Sequence, residues 1–306
     1  MRSPSYSPLP SPIPAVASQA VRRPFIPFLC LAVFCIVAWH SYPQISANFD
    51  TVPLNVETTT TPPENECLII LITPTYARPT RMPDMTRMAQ TLMLVKNIHW
   101  VVIEDANKTS DAVERLLERS GIPYTYLFTT TVNLPKRGWY HRNMALDVVS
   151  TKYREYNECA VVYFADDDNT YDYRLFNEYI RKVRTVGLWA VGFSGGAKVE
   201  APHVEKGKIT KWDVVYAPNR QYATDMAGFA VNLKLVRNST ARFDKSCGKG
   251  DPENCFLKKL NVSKADLQPF GYDKQPKDIL VWHTQSRTPE GKGSSHGYVY
   301  EEKKKT

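Results

Sequence analysis

Ala160-Val161-Val162-Tyr163-Phe164-Ala165-Asp166-Asp167-Asp168-Asn169-Thr170 is an apolar run that ends in three adjacent carboxylates. An uninterrupted stretch of Val, Tyr and Phe reads as a strand inside a sheet, so the aspartates emerge together at its carboxyl end. Open α/β sheets bind their ligands at that edge. Three neighbouring carboxylates raise one another's cost of ionisation unless a cation sits among them. Hard oxygen ligands favour Mg²⁺ or Mn²⁺, and a metal held by one or two carboxylates keeps positions open for substrate phosphates. A nucleotide diphosphate is the natural guest. The same Asp-Asp-Asp-Asn can instead cap a helix over Tyr171 to Thr185.

Working back from that strand, Cys67 to Thr73 (CLIILIT) and His99 to Glu104 (HWVVIE) are further apolar strands, and Tyr124 to Phe128 is another. Between them, Arg81 to Val95 carries Met85, Met88, Leu92 and Val95 at helical spacing, and Ser110 to Ser120 reads as a second helix. Strand and helix in alternation predict an α/β fold with a mostly parallel sheet and crossover helices. No repeat of 20 to 50 residues is evident.

The two ends of the chain have a different character. Residues 1 to 24 are rich in Ser and Pro, lack acidic residues and finish in Arg22-Arg23-Pro24, which reads as a disordered cytosolic tail. Phe25 to Trp39 (FIPFLCLAVFCIVAW) is uncharged, and 25–42 reads as a short transmembrane signal anchor in type II orientation. A cleaved signal peptide is the competing reading. Residues 43–66, with Thr58 to Thr61 and Pro62-Pro63, form an extended stem, and 301–306 a charged tail. Lumenal placement makes Asn107, Asn238 and Asn261 candidate glycosylation sites, since each begins an N-x-Ser/Thr triplet. It also permits disulfides among Cys67, Cys159, Cys247 and Cys255. Cys247 and Cys255 bracket a short loop and are the favoured pair, although four cysteines allow three connectivities. The net charge of +8 over 306 residues is partly a property of the ends, such as Lys303 to Lys305. No block of interleaved arginine and aromatic residues accompanies it, so no nucleic-acid partner is expected.

Several polar clusters fall where the strands end. Pro74-Thr75-Tyr76-Ala77-Arg78-Pro79 follows the first, and Glu104-Asp105 closes the second. Tyr76 can stack on a planar base or simply pack in its loop, and Asp105 can accept from a base or ribose or cap the next helix. Arg137-Gly138-Trp139-Tyr140-His141-Arg142-Asn143 precedes a helix through about Ser150. Arginines at a helix start suit an oxyanion, and solvated surface charges are the plain alternative. A strand is expected at Leu188 to Val191, followed by a tight turn at Gly192 to Gly196, and another at Ile279 to Trp282, ending in His283. Asp225 leads into Met226-Ala227-Gly228-Phe229-Ala230-Val231, and Glu253 sits at the start of a helix, where an isolated glutamate is usually structural.

Taken in order, PTYAR, the EDA after the second strand, RGWYHRN, VVYFADDDNTY, DMAGFAV and VWHT resemble the β-1,3-glucuronyltransferase family over about Leu68 to Thr284. That resemblance implies a Golgi type II membrane enzyme of GT-A fold, with a lumenal catalytic region over 67–300. Its UDP-sugar-binding part would be 67–170 and its acceptor-binding part 171–300. It implies transfer of glucuronic acid from UDP-glucuronate to the 3-hydroxyl of a terminal galactose, in the galactose-galactose-xylose linker of proteoglycans. A relative with broader acceptors, such as N-acetyllactosamine, and a weakly active sugar-binding member are the alternatives. Tyr76 and Asp105 then correspond to the uracil-binding pair, and Arg137, Arg142 and His283 to donor-binding residues. Asp168 would ligate Mn²⁺, with Asp166 and Asp167 meeting the ribose and sugar. Glu200, Arg220 and Asp225 resemble the acceptor-binding set, and Glu253 takes the position of the catalytic base. A homodimer is implied as well. The chain departs from the family pattern at Gln285, where VWHTR has arginine, with Arg287 two positions on. It departs again in the base loop, where Cys247 and Cys255 enclose Glu253.

Overall fold

A computed structural model describes residues 66–136, 138–156, 159–248, 250–287 and 293–299. The expected tail, anchor, stem, charged tail and Arg137 lie outside the described residues. Among those described, no helix is long and apolar enough to cross a membrane.

Among the described residues, twelve strands follow in chain order: β1 Leu68–Thr75, β2 Ile98–Asp105, β3 Tyr124–Thr129, β4 Ala160–Phe164, β5 Thr170–Tyr171 and β6 Val186–Leu188; then β7 Val191–Gly192, β8 Val199–Glu205, β9 Lys208–Asp213, β10 Phe229–Asn232, β11 Leu267–Pro269 and β12 Val281–Trp282. Seven form the main sheet in the order β11-β6-β10-β4-β1-β2-β3. The four strands β3, β2, β1 and β4 run parallel; β1, β2 and β4 are buried on both faces and so read as largely apolar runs, while β3, at the sheet edge, is only half-buried and mixes Tyr and Thr with its apolar residues. Successive residues of β1 feed two cores. Ile70 and Ile72 pack with Phe164, Phe243 and Phe256 on one face, while Ile69 and Leu71 pack with Met85, Trp100 and Tyr163 on the other. Helices Arg81–Leu92 and Asp111–Ser120 connect the first strands, and Trp139–Lys152 precedes β4.

Three expectations are modified. The strand foreseen at Leu188 to Val191 divides at Trp189, whose indole Nε1 donates to the Ala227 carbonyl at 2.8 Å. There the chain leaves the main sheet at β6 and enters a second sheet, ordered β5-β12-β7-β8-β9, at β7. The helix foreseen over Tyr171 to Thr185 is replaced by β5, a π-helical turn Leu175–Tyr179 and a 3₁₀ turn Ile180–Lys182. Packing of Phe176 and Tyr179 against Tyr163, Trp189 and Phe270 decides that local winding. Finally, β10 runs antiparallel to both β4 and β6, so its leading residues lie beside the carboxyl end of β4. That reversal carries Asp225 to the aspartate triplet from a distant part of the chain.

Among the described residues, two disulfides are formed. Cys247 pairs with Cys255 as favoured, and Cys67 pairs with Cys159 where β1 and β4 begin side by side.

Candidate active site

A cavity of about 260 Å³ opens at the end of β4. It gathers seven residues singled out above: Arg142, Asp166, Glu200, Arg220, Asp225, Glu253 and His283. They come from 142 positions of sequence, and the fold explains their convergence. Asp166 follows β4 directly. Asp225 caps the turn before antiparallel β10, its Oδ1 accepting from the Ala227 N–H at 2.9 Å. His283 follows β12, which pairs with β5 so that Trp282 lies opposite Thr170. Arg142 lies within the helix Trp139–Lys152 rather than ahead of it, and its guanidinium pairs with the Asp166 carboxylate.

Electrostatics separate these groups into roles. His283 Nδ1 lies 3.3 Å from Asp225 Oδ2, and the bond to that carboxylate raises the imidazole to about 9, against the effect of burial. Burial acts to raise Asp225, but His283, the Ala227 N–H and Ser194 outweigh it and hold this carboxyl below the usual range. Glu253 behaves oppositely. Burial first, and then the Asp225 charge, push its carboxyl up to about 8, even though Arg142 and Arg220 pull it down. One carboxylate is therefore held charged while its neighbour sits near neutrality, the arrangement expected of an acid–base site.

Glu200 is only 4 % exposed. Its Oε2 lies 3.0 Å from the Ser194 hydroxyl, which also reaches Asp225 Oδ2 at 2.9 Å, so one hydrogen serves two carboxylates. Glu200 Oε1 has no hydrogen-bond partner among the described residues. It packs against Gly195, at φ +57°, where a Cβ would collide with it. A buried carboxylate oxygen without a donor suits a ligand hydroxyl. Arg220 lies over the Tyr216 ring, 5.1 Å from its centroid, and reaches Asp251 at 3.4 Å.

The triplet itself divides. The cavity lining does not include Asp167, which is 6 % exposed and anchored by Arg78 and Thr75 instead of facing the cavity with Asp166. Asp168 makes no side-chain hydrogen bond or ion pair among the described residues, while its backbone carbonyl accepts from Arg87 Nη2 at 2.8 Å and Thr284 Oγ1 at 2.7 Å. Burial, then Asp167 and Asp166, raise its carboxyl to about 6. A fixed, partly buried carboxylate, discouraged from ionising by its neighbours, fits a divalent cation that keeps most of its coordination for a ligand. Among the described residues, no three His, Cys, Asp or Glu side chains could enclose a metal on their own.

Tyr76 and Asp105 lie along the same strand ends, since Thr75 and Glu104 are register partners. Tyr76 is 55 % exposed, with the Arg78 guanidinium 5.1 Å from its ring centroid. Asp105 accepts from the Thr131 N–H and hydroxyl at 3.2 and 2.9 Å. Asn107, Asn238 and Asn261 are all exposed. Sequence reasoning did not single out Trp139, Ser194 or Tyr216 as part of the cavity. Trp139 and Ser194 stood inside quoted clusters, and Tyr216, 49 % exposed, lies four residues before Arg220.

Residues 88–287 match the profile of glycosyltransferase family 43. The chain is 41 % identical over 244 residues to galactosylgalactosylxylosylprotein 3-beta-glucuronosyltransferase 1 of Homo sapiens, covering 74 % of this chain and 72 % of that one. It is 38 % identical over 254 residues to galactosylgalactosylxylosylprotein 3-beta-glucuronosyltransferase 3 of Mus musculus, covering 76 % and 75 %. Among solved structures, S. aureus TarS 1-349 in complex with UDP aligns with a TM-score of 0.47 and 16 % identity, over 72 % of this chain and 61 % of that one.

Proposed function

The chain belongs to glycosyltransferase family 43, and on that premise we propose that it is an inverting glucuronosyltransferase. It would move glucuronic acid from UDP-glucuronate to the 3-hydroxyl of a terminal galactose in a galactose-galactose-xylose linker. The observation that carries this reading is the half-buried Glu253 carboxyl, poised near neutrality in the same cavity as Glu200, Arg220 and the Asp225–His283 pair.

The chemistry follows from those charges. Glu253 as carboxylate takes the proton of the acceptor hydroxyl while that oxygen bonds to the anomeric carbon and the bond to UDP breaks. A base is most effective when its pKa lies near the working pH, which supports Glu253 in that role. Glu200 and Arg220 supply an acceptor and a cation to orient the sugar hydroxyls. Protonated His283 and Arg142 present positive charge toward an anionic donor. Tyr76 and Asp105 offer a stacking face and a hydrogen-bond acceptor to the base. Asp168 would hold Mn²⁺, which when bound neutralises charge on the departing diphosphate.

We place the catalytic region in the Golgi lumen behind a type II anchor, as a homodimer; the two disulfides support an oxidising compartment. The test is transfer from UDP-glucuronate to a galactose-galactose-xylose acceptor by the full chain. Product formation that Glu253→Gln abolishes while UDP still binds supports the reading. Transfer that survives Glu253→Gln, or that uses another UDP-sugar in preference, overturns it.

A further inference from the structure

Glu253 and Cys255 stand two positions apart in the helix Pro252–Lys259. At about 100° per residue, their side chains leave on nearly opposite faces. Glu253 takes the face toward the cavity, beside Pro252 and Gly250. Cys255 takes the other, packed against the core and bonded to Cys247. Cys247 is buried at the end of a short turn, Lys245–Cys247, in which Asp244 Oδ1 accepts from the Ser246 N–H at 2.9 Å. The same Asp244 pairs with Lys259, the last residue of the Glu253 helix, at 2.5 Å. The back of the helix is therefore tied twice to one turn.

Its front is held by side-chain contacts alone: Asp251 lies 3.4 Å from Arg220 Nη1 and accepts from Asn254 Nδ2, and Asn254 Oδ1 accepts from the Tyr222 N–H at 3.0 Å. The N-cap Asp251 makes no side-chain cap hydrogen bond. The backbone leading into it contains Gly248 at φ +63° and Gly250, where a Cβ would collide with the Tyr216 hydroxyl. Glycines so close to the first turn widen the backbone conformations open to it. The disulfide adds a covalent grip to this short helix, on the face opposite Glu253.

We infer that the Cys247–Cys255 disulfide is a positioning element for the Glu253 carboxyl, fixing the rotation of its helix so that the carboxyl stays in the cavity and partly screened from water. The effect on rate rests on the transferase reading, but the effect on the carboxyl does not. Releasing the tie admits water to Glu253, which favours its charged form and lowers the pH at which it titrates.

The experiment follows the Glu253 carboxyl by ¹³C NMR in protein labelled at glutamate carboxyls, its signal identified by loss in Glu253→Gln. Wild type is compared with Cys247→Ser/Cys255→Ser, and with Cys67→Ser/Cys159→Ser, which removes the other disulfide. Thermal unfolding and circular dichroism monitor the fold. In the first variant, Glu253 should titrate about one pH unit or more below wild type, and kcat should fall about 10- to 100-fold with donor KM unchanged. The second variant should lose thermal stability and leave both readouts alone. A folded Cys247→Ser/Cys255→Ser protein whose Glu253 titration matches wild type overturns the inference. If that variant does not fold, Cys247→Ala/Cys255→Val, which refills the apolar space, decides by the same titration. If wild type transfers no glucuronic acid, the transferase reading fails, and the titration still decides the tie.

Discussion

Arg78 grips both carboxylate oxygens of Asp167, Nη1 to Oδ2 at 2.7 Å and Nη2 to Oδ1 at 2.9 Å, while the Thr75 hydroxyl donates to Oδ2 at 2.6 Å. Arg78 Nη2 also reaches Asp84 Oδ2 at 3.0 Å, and Asp84 is fully buried. The loop after β1 is thereby locked to the residue between Asp166 and Asp168. Both flanking carboxylates take their positions from a middle residue that is itself part of the interior.

Removing that grip should be costly, because a buried carboxylate that loses its cation is left uncompensated. Arg78→Ala is expected to destabilise the fold by about 3–5 kcal/mol, and Arg78→Lys by less, since a point charge cannot reproduce the two-pronged contact. Chemical denaturation at neutral pH measures both. An Arg78→Ala protein as stable as wild type would show that Asp167 relaxes into solvent.

The alternation of apolar runs from Leu68 to Phe164 revealed the parallel half of the sheet, because strands buried on both faces have few alternatives. The direction of Phe229–Asn232 was not legible: four residues carry no sign of strand polarity, and long-range pairing decides it. Asp225 could be named from sequence, but its place beside Asp166 could not. How the triplet divides was not legible, for a local reason. β4 ends at Phe164 and Asp167 and Asp168 lie in the turn that follows, where the chain direction changes at each residue and the three side chains diverge. Asp166 accordingly meets Arg142 and Asp167 meets Arg78. Arg78 lay within the quoted PTYAR cluster without an assigned role, since nothing in a loop sequence shows which way a guanidinium folds.

Asp168 carries the cation prediction. Asp168→Asn keeps the shape and removes the charge, so transfer should become insensitive to added Mn²⁺ and fall about 100-fold or more, while thermal stability changes little or rises as repulsion with Asp166 and Asp167 is relieved. Activity measured against Mn²⁺ concentration, before and after EDTA treatment, checks this. EDTA-resistant transfer by wild type would remove the metal from Asp168.

Glu200 Oε1, buried and without a donor among the described residues, predicts a defect confined to the acceptor. Glu200→Gln offers an amide where an acceptor oxygen stood, so kcat/KM for the acceptor sugar should fall about 10- to 100-fold, the scale of one lost buried hydrogen bond to a charged group. The dissociation constant of UDP should be unchanged, as calorimetry would show. Loss of UDP binding as well would place Glu200 on the donor side.

Glu253 ties activity and stability to pH in opposite senses. Its carboxyl titrates at about 8 in the folded protein, against the ordinary 4.5. The base needs the ionised form, so kcat/KM should fall as pH drops through about 8, with a one-proton slope that Glu253→Gln lacks. For stability, a raised folded pKa means that the native state binds the proton more tightly than the unfolded chain. That contribution is fully present below 4.5 and is lost as pH rises through 8. Glutamine resembles the neutral carboxyl at every pH. Wild type and Glu253→Gln should therefore unfold at similar temperatures below pH 4.5, and the variant should unfold higher above pH 8. Discounted for the partial exposure of the side chain, the difference is on the order of 2 kcal/mol, or roughly 4–8 °C for a domain of this size. Melting curves at pH 4.5 and 8.5 measure it, and coincident curves at the higher pH would show that Glu253 carries its charge without cost.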